Sequence, residues 1–419
     1  TNMDPVRALL NVIIINKNVE LFYCMIREIS FPTDVIRSAV QNNNFLEEIV
    51  RYNKQDAKSF IQKYQLEKEI NLKTKINLFV QEGEPLHLLV SHEKIIEDSM
   101  KALNNNSVKR RSIRISYLQE NGSDYGGLGR DWFSSVSYAL ISGQYFIPTP
   151  NGSTLIINKN KTDLAVYRFA GQLIGLSLYS KKLINLKLTS SLWKQLIHQK
   201  VKLDDLKDYD TQIYNSLKWI LDNKVDSLET YFVNNEGNEL IENGYNILVD
   251  ETNKASYVSL YVEDLLFTKY KSHIEKMIEG FNSVMDENTA SLFTAEEWCL
   301  ITNGEPKINI EELKTYAVSE GVKHVENFDL FIKAISKWDE EKIRKLLQFI
   351  TGSSQLPIGG FSSYEYFGGK FTIYFVQESD MLPTTATCFN KMTIPAYNSE
   401  DLFNEKLTIA LECVEFANA

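Results

Sequence analysis

The sequence is poor in cysteine and histidine, lacks any long apolar run and carries no excess of positive charge. Its four cysteines, Cys24, Cys299, Cys388 and Cys413, are never within four residues of one another. That excludes a zinc-ligand spacing and a dense disulfide framework, and the expectation is a reducing, intracellular and cytoplasmic setting. The five histidines (His87, His92, His198, His273, His324) are scattered, with no pair spaced to share a helix face, so no metal site is predicted. No apolar run approaches the ~20 residues of a membrane span. The longest near the start, Val12-Ile13-Ile14-Ile15, is cut off by Asn11 and Asn16. A basic region leading into an apolar stretch and a small-residue cleavage site is also missing, so no secretory signal is read. The chain opens Thr1-Asn2-Met3 and is expected to come from a longer protein. The formal net charge of −10 argues against nucleic-acid binding as the main task.

What is present is ordinary globular material: 419 residues, 43% hydrophobic and 24% charged, enough for two or three compact units at ~150 residues each. From Pro5 to Val80 the pattern is helical. Phe45, Ile49 and Tyr52 share one face and Phe60, Ile61 and Tyr64 another. Gln81-Glu82-Gly83-Glu84-Pro85 reads as a polar breaker and a boundary, followed by a helix over 93–103. Ile113, Ile115 and Tyr117 alternate as in a half-buried strand. A Gly-rich segment, Asp124-Tyr125-Gly126-Gly127-Leu128-Gly129, then leads into an amphipathic helix marked by Trp132, Phe133, Val136, Ala139 and Leu140. It lacks the Gly-Lys-Ser/Thr ending of a phosphate loop and is read as a structural turn. Helical patterns continue to Trp219. Thr230 to Leu260 reads as short strands and turns, and helices return through Phe281. A long helical stretch over 327–350 precedes strands at 371–376 and 392–394. A final helix begins near Ser399, a fitting N-cap with Glu400 and Asp401 in its first turn.

The chemistry centres on Cys388, in Leu382-Pro383-Thr384-Thr385-Ala386-Thr387-Cys388-Phe389-Asn390. The segment lies between two predicted strands and is expected to be a loop. Small hydroxylic flanks favour an accessible thiol, whereas a buried structural cysteine is the commoner fate of a free one. From the residues alone both readings stand. Cys24 and Cys299 sit in apolar helical stretches, and Cys413 lies beside Leu411 and Val414 in the last helix.

Around this cysteine, Leu-Pro-x-x-x-Thr-Cys-Phe-Asn followed by Ile394-Pro395-x-Tyr397 resembles the signature of HECT ubiquitin ligases. Further stretches are similar to the family in the same order. They are Asp124-x-Gly126-Gly127-x-x-Arg130-Asp131-Trp132-Phe133, Arg168-Phe169-x-Gly171-x-x-Ile174-Gly175, Asn253-Lys254-x-x-Tyr257-Val258-x-Leu260, Leu346-Leu347-Gln348-Phe349-Ile350-Thr351-Gly352-Ser353 and Leu356-Pro357-x-Gly359-Gly360-Phe361. The resemblance covers roughly residues 86–419.

The resemblance implies an α+β, bilobal fold. A mostly helical N-lobe over 86–314 would carry a small docking subdomain for a ubiquitin-conjugating enzyme at about 222–284. A hinge would follow at 315–321 and an α/β C-lobe over 322–419, with residues 1–85 a helical extension. It further implies that Cys388 accepts ubiquitin as a thioester and passes it to a substrate lysine, with Thr387 in support. The expected partners are therefore the conjugating enzyme, ubiquitin and a protein substrate, and no cofactor is expected. Phe416, fourth from the end, takes the place of a phenylalanine that the family uses for lysine transfer. Phe232, Leu240, Leu266, Ile274 and Ile278 are candidates for an apolar docking groove, with ordinary core as the competing assignment. Glu378 and Asp380 are further candidates, for orienting an incoming lysine. One position departs: many members have histidine two residues before the cysteine, and this chain has Ala386. Two rivals remain. One is a cysteine hydrolase, which would need a base such as His324 near Cys388. The other is a catalytically weak scaffold that binds charged conjugating enzyme.

Overall fold

A computed structural model describes residues 4–41, 44–80, 83–118, 127–225, 228–364 and 369–418; the side chains of residues 4, 388 and 413–418 lie outside the described set. The chain forms two compact units, Thr1–Glu82 and Gly83–Ala419.

The first unit comprises short helices: α1 (Asp4–Ile15), α2 (Val19–Glu28), α3 (Thr33–Val40), α4 (Phe45–Tyr52), α5 (Lys54–Lys63) and α6 (Leu72–Phe79). Asparagine starts several of them. The Asn18 side chain accepts from Leu21 N at 3.0 Å, Asn53 from Gln55 N at 2.9 Å and Asn71 from Thr74 N at 2.8 Å, each cap contributing about 1 kcal/mol. Phe22 anchors the core, edge-on to Phe45 at 5.0 Å and Phe60 at 5.3 Å between ring centroids. Of the faces predicted here, Phe45, Ile49, Phe60, Ile61 and Tyr64 are buried. Tyr52 is exposed, because it ends α4 where the stripe turns out to solvent.

The second unit opens with a strand, β1 (Gly83–Val90), so the predicted breaker at 83–85 is corrected to the start of a sheet. Leu86, Leu88 and Val90 point inward, but the exposed Leu89 spoils the alternation that would have revealed them. Strand β1 pairs in parallel with β2 (Arg111–Tyr117) through the crossover helix α7 (Ile95–Asn104). Helix α8 (Gly127–Ser142) and a hairpin of β3 (Phe146–Pro148) and β4 (Leu155–Ile157) follow; the hairpin was not predicted. Next come α9 (Leu164–Ser180), α10 (Ser190–Leu196), α11 (Thr211–Asp222), α12 (Lys254–Leu266), α13 (Lys271–Val284), α14 (Glu287–Ala290) and α15 (Ala295–Asn303).

Helix α9 is buried on nearly every side, and glycine sets how closely α13 approaches it. A Cβ at Gly171 would lie 1.9 Å from the Met277 carbonyl oxygen, and one at Gly280 only 1.8 Å from that of Arg168. The two backbones touch, which no larger residue permits.

Between α11 and α12 the chain makes turns with isolated bridges, Tyr231 to Leu248 and Val233 to Glu239. The expected strand texture stops there, since Lys254–Leu266 is helical. Tyr257, Val258, Tyr261, Val262 and Leu265 are buried at helical spacing, a period hidden by their strand-favouring residue types.

The C-terminal part contains α16 (Ile310–Tyr316), β5 (Val318–Gly321), α17 (His324–Ile335), α18 (Glu340–Thr351), β6 (Thr372–Val376), β7 (Thr384–Ala386), β8 (Lys391–Pro395) and α19 (Glu400–Asn418). The sheet order is β5-β6-β8-β7, parallel except for the antiparallel edge strand β7. Ile373, Phe375, Met392 and Ile394 share one core with Phe331, Ile335, Leu347, Phe403 and Leu407. Leu313 of α16 belongs to the same core, with Ile308 and Ile310 packed against it. Ser399 caps α19, accepting from Leu402 N at 3.3 Å. Among the described residues no helix is long and apolar enough to cross a membrane.

Candidate active site

Cys388 occupies a three-residue 3-10 turn, Thr387–Phe389, between β7 and β8. The expected loop is shorter than read, because Thr384–Ala386 joins the sheet edge, pairing Thr384 with Thr393 and Ala386 with Lys391. Asn390 closes the turn in the left-handed conformation, φ 49°, which asparagine tolerates better than most residues. It is fully buried and holds the turn to the lobe: its N–H donates to the Thr387 carbonyl at 3.2 Å, and its carbonyl accepts from Thr372 N at 2.9 Å. Its side-chain amide donates to the Gly369 carbonyl at 3.2 Å.

Tyr397 secures the base of the segment. The ring is buried and its hydroxyl donates to the Met381 carbonyl. Burial, helped by the charge of Asp380, pushes that phenol up to about 12. The Ile394-Pro395-x-Tyr397 motif therefore serves to fix where the cysteine segment begins.

The end of α18 packs behind the turn. Thr351 Oγ1 donates to the carbonyls of Leu347 at 2.8 Å and Ser353 at 3.0 Å, and Gly352 caps the helix at φ 77°. A Cβ at Gly352 would sit 3.9 Å from that of Thr387. Tyr364 is buried alongside, its phenol raised well above the ordinary value by burial and hydrogen-bonded to Thr351. From the helical body, Arg130 of α8 donates through Nη2 to the Thr387 carbonyl. A narrow pocket at this junction is lined by Arg130, Ser134, Lys181 and Asn185 on one side and Thr351, Gln355, Tyr364 and Asn390 on the other.

The predicted site residues are thus partly assembled. Thr387 is half-buried and is held through its main chain. The Phe416 and Cys413 side chains lie outside the described residues, as do residues 124–126 of the Gly-rich segment. Glu378 is exposed, accepting from Asn398 Nδ2 at 3.3 Å, and Asp380 is exposed nearby. Phe389 and Met381 expose apolar surface on either side of the turn, 62% and 70% respectively.

The docking candidates need correction. Phe232, Leu266 and Ile274 are core, 2% exposed or less, and present nothing to a partner; Leu240 and Ile278 are half-buried. The exposed apolar surface of that region consists instead of Trp219, Tyr231, Tyr245 and Leu248, beside a groove lined by Ile213, Leu228, Tyr257 and Tyr261.

Of the other thiols, Cys24 is exposed on α2, and burial raises Cys299 above the ordinary cysteine value, which disfavours its thiolate. No histidine lines the junction pocket among the described residues. His324 is exposed at the start of α17, its carbonyl accepting from Ser319 Oγ at 3.0 Å. The described residues hold no cluster of metal-ligating side chains.

Fold and site together define a protein in which a small α/β lobe presents a cysteine turn to a larger helical body. The model of the HECT domain (ubiquitin-transferase) matches residues 133–419, and the chain belongs to that family. It is similar to E3 ubiquitin-protein ligase RSP5 of Saccharomyces cerevisiae, 30% identical over 346 residues, covering 78% of this chain and 43% of that protein. It is likewise similar to E3 ubiquitin-protein ligase pub3 of Schizosaccharomyces pombe, 32% identical over 355 residues (78% and 44%). A third relative is E3 ubiquitin-protein ligase TOM1-like of Neurospora crassa, 32% identical over 352 residues (78% and 9%). The chain spans less than half the length of these relatives.

Proposed function

We propose that the chain is the catalytic part of an intracellular ubiquitin ligase and that Cys388 is its nucleophile. The observation that carries this reading is the placement of Cys388 on a short turn, clamped from both sides, within a chain of the HECT family. The Cys388 thiolate attacks the carbonyl carbon of the thioester joining ubiquitin to a conjugating enzyme. A new carbon–sulfur bond forms and the conjugating enzyme leaves as a thiolate. A lysine amine of a protein substrate then attacks the Cys388 thioester. The carbon–nitrogen bond forms, the Cys388 thiolate leaves and the amine gives its proton to solvent. The first exchange swaps like for like, so catalysis rests mainly on positioning. Thr387 supports it by anchoring the turn through its carbonyl, and Phe416 is proposed to act in lysine transfer.

Docking of the conjugating enzyme is assigned to the exposed surface around Trp219, Tyr231 and Leu248. We assign the pivot between lobes to Gly304, upstream of the expected 315–321. Gly304 has φ 70°, whereas α16 already packs into the C-terminal core through Leu313.

The test is incubation with charged conjugating enzyme beside Cys388→Ala and Cys388→Ser. The expected wild-type product is a thiol-sensitive ubiquitin adduct followed by chains, with a thiol-resistant ester on Cys388→Ser and neither on Cys388→Ala. Release of free ubiquitin alone would indicate a hydrolase, and identical behaviour of wild type and Cys388→Ala a scaffold.

A further inference from the structure

The Gly-rich motif leading into α8 has an unassigned member, Arg130, whose guanidinium reaches across the lobe junction to the main chain of the cysteine turn. We propose that Arg130 is a positioning residue for the second acyl transfer, ubiquitin to lysine, and is dispensable for the first. The inference rests on the ligase reading above.

The geometry points there in three steps. First, the acceptor is the carbonyl of Thr387, the residue before the nucleophile. The same oxygen accepts from Asn390 N at 3.2 Å. A charged donor on that oxygen fixes the orientation of the peptide plane leading into Cys388, and such charge-assisted bonds are roughly twice as strong as neutral ones. Second, the rest of the turn is fixed to its own lobe by the main-chain and side-chain bonds of Asn390. Arg130 is therefore a bond from the opposite lobe to an otherwise self-supporting turn, so losing it changes where the turn is held more than whether it forms. Third, in this arrangement the turn lies against α8. The groove proposed for the conjugating enzyme is built from α11, α12 and the bridges near Tyr231, and none of its residues lines the junction. Receiving ubiquitin from an enzyme seated in that groove requires the turn to face it, and the Arg130 contact is then given up. The contact belongs to the docked arrangement, where the acyl group is already on Cys388.

The experiment is a pulse–chase on the full chain, comparing wild type, Arg130→Ala and Arg130→Lys. The enzyme is loaded with labelled ubiquitin, loading is stopped, and the thioester is chased with free lysine or, separately, with hydroxylamine. Hydroxylamine cleaves thioesters without help from the site. For Arg130→Ala the expected result is loading within about twofold of wild type, lysine discharge slowed roughly 10- to 100-fold and unchanged hydroxylamine discharge. Arg130→Lys, which keeps a cationic donor, should fall between the two. Equal slowing of loading and discharge would overturn the proposal in favour of a structural role. Faster lysine discharge would overturn it in favour of an inhibitory contact, and unchanged discharge would overturn it outright. A wild type that never forms a thiol-sensitive adduct would remove the ligase reading, and the proposal with it.

Discussion

Two junctions in the second unit turn on backbone carbonyls, and they differ in kind. Where α9 crosses α13, glycines at 171 and 280 bring carbonyl oxygens to where a Cβ would otherwise be. Dispersion and burial along α9 hold that contact, and it has no alternative position. At the cysteine turn, a guanidinium-to-carbonyl bond joins the lobes beside a narrow pocket. Water can replace such a bond at a net cost of only about 1.5–3 kcal/mol. The first junction makes a platform, and the proposed mechanism has the second open and re-form. On the mechanism proposed above, one thiol meets two partners in succession, and both kinds of junction serve it.

Gly280→Ala should break the rigid junction and produce the largest effect on stability. Alanine gains about 1 kcal/mol of helix propensity over glycine, but its Cβ would fall 1.8 Å from the Arg168 carbonyl. Forcing the helices apart costs about 3 kcal/mol, so a net loss of roughly 2 kcal/mol is expected in urea unfolding. Unchanged or increased stability would mean that the helices can separate and that this junction is not rigid.

Gly304→Ala probes the connection between the two. Its φ of 70° and ψ of −163° lie in a region almost confined to glycine, and a Cβ would meet the Leu356 carbonyl at 1.8 Å. The expected cost is about 1–3 kcal/mol, with both acyl transfers slowed, because Glu305 is tied to the C-terminal part through Leu356 at 2.9 Å and Gly359 at 2.8 Å. Normal transfer kinetics at reduced stability would place the pivot elsewhere.

Tyr397→Phe gives the smallest effect. It removes one part-buried hydrogen bond, the hydroxyl to the Met381 carbonyl, so about 1 kcal/mol of stability should be lost. Both half-reactions should slow by a similar small factor, in contrast with the split expected for Arg130→Ala. A selective loss of lysine transfer in Tyr397→Phe would blur that distinction.

Much of the C-terminal fold was legible because its signals are local. Ile373 and Phe375 alternate with less buried neighbours and Ser399 caps its helix, whereas the Cys388 segment reads as a loop and gives up Thr384–Ala386 to the sheet edge. The errors have equally local causes. Leu89 is an exposed leucine within β1 and hides the alternation. The tyrosines and valines of α12 favour strands by type while their spacing is helical. Phe232, Leu266 and Ile274 look like partner surface in sequence because apolar residues have the same letters in a groove and in a core. Only solvent exposure separates them, and it moves the candidate surface to Trp219 and Tyr231.

The sequence by itself determined the family and singled out Cys388 as the candidate nucleophile, because motif order is a property of neighbouring residues. The tertiary structure decided that Gly171 and Gly280 are contact points, that α16 belongs to the C-terminal core, and that Arg130 reaches the carbonyl next to Cys388. Arg130 and Thr387 are 257 positions apart, and no pattern within either segment encodes their meeting. It arises only when the cores on either side have folded and brought α8 and the sheet edge together.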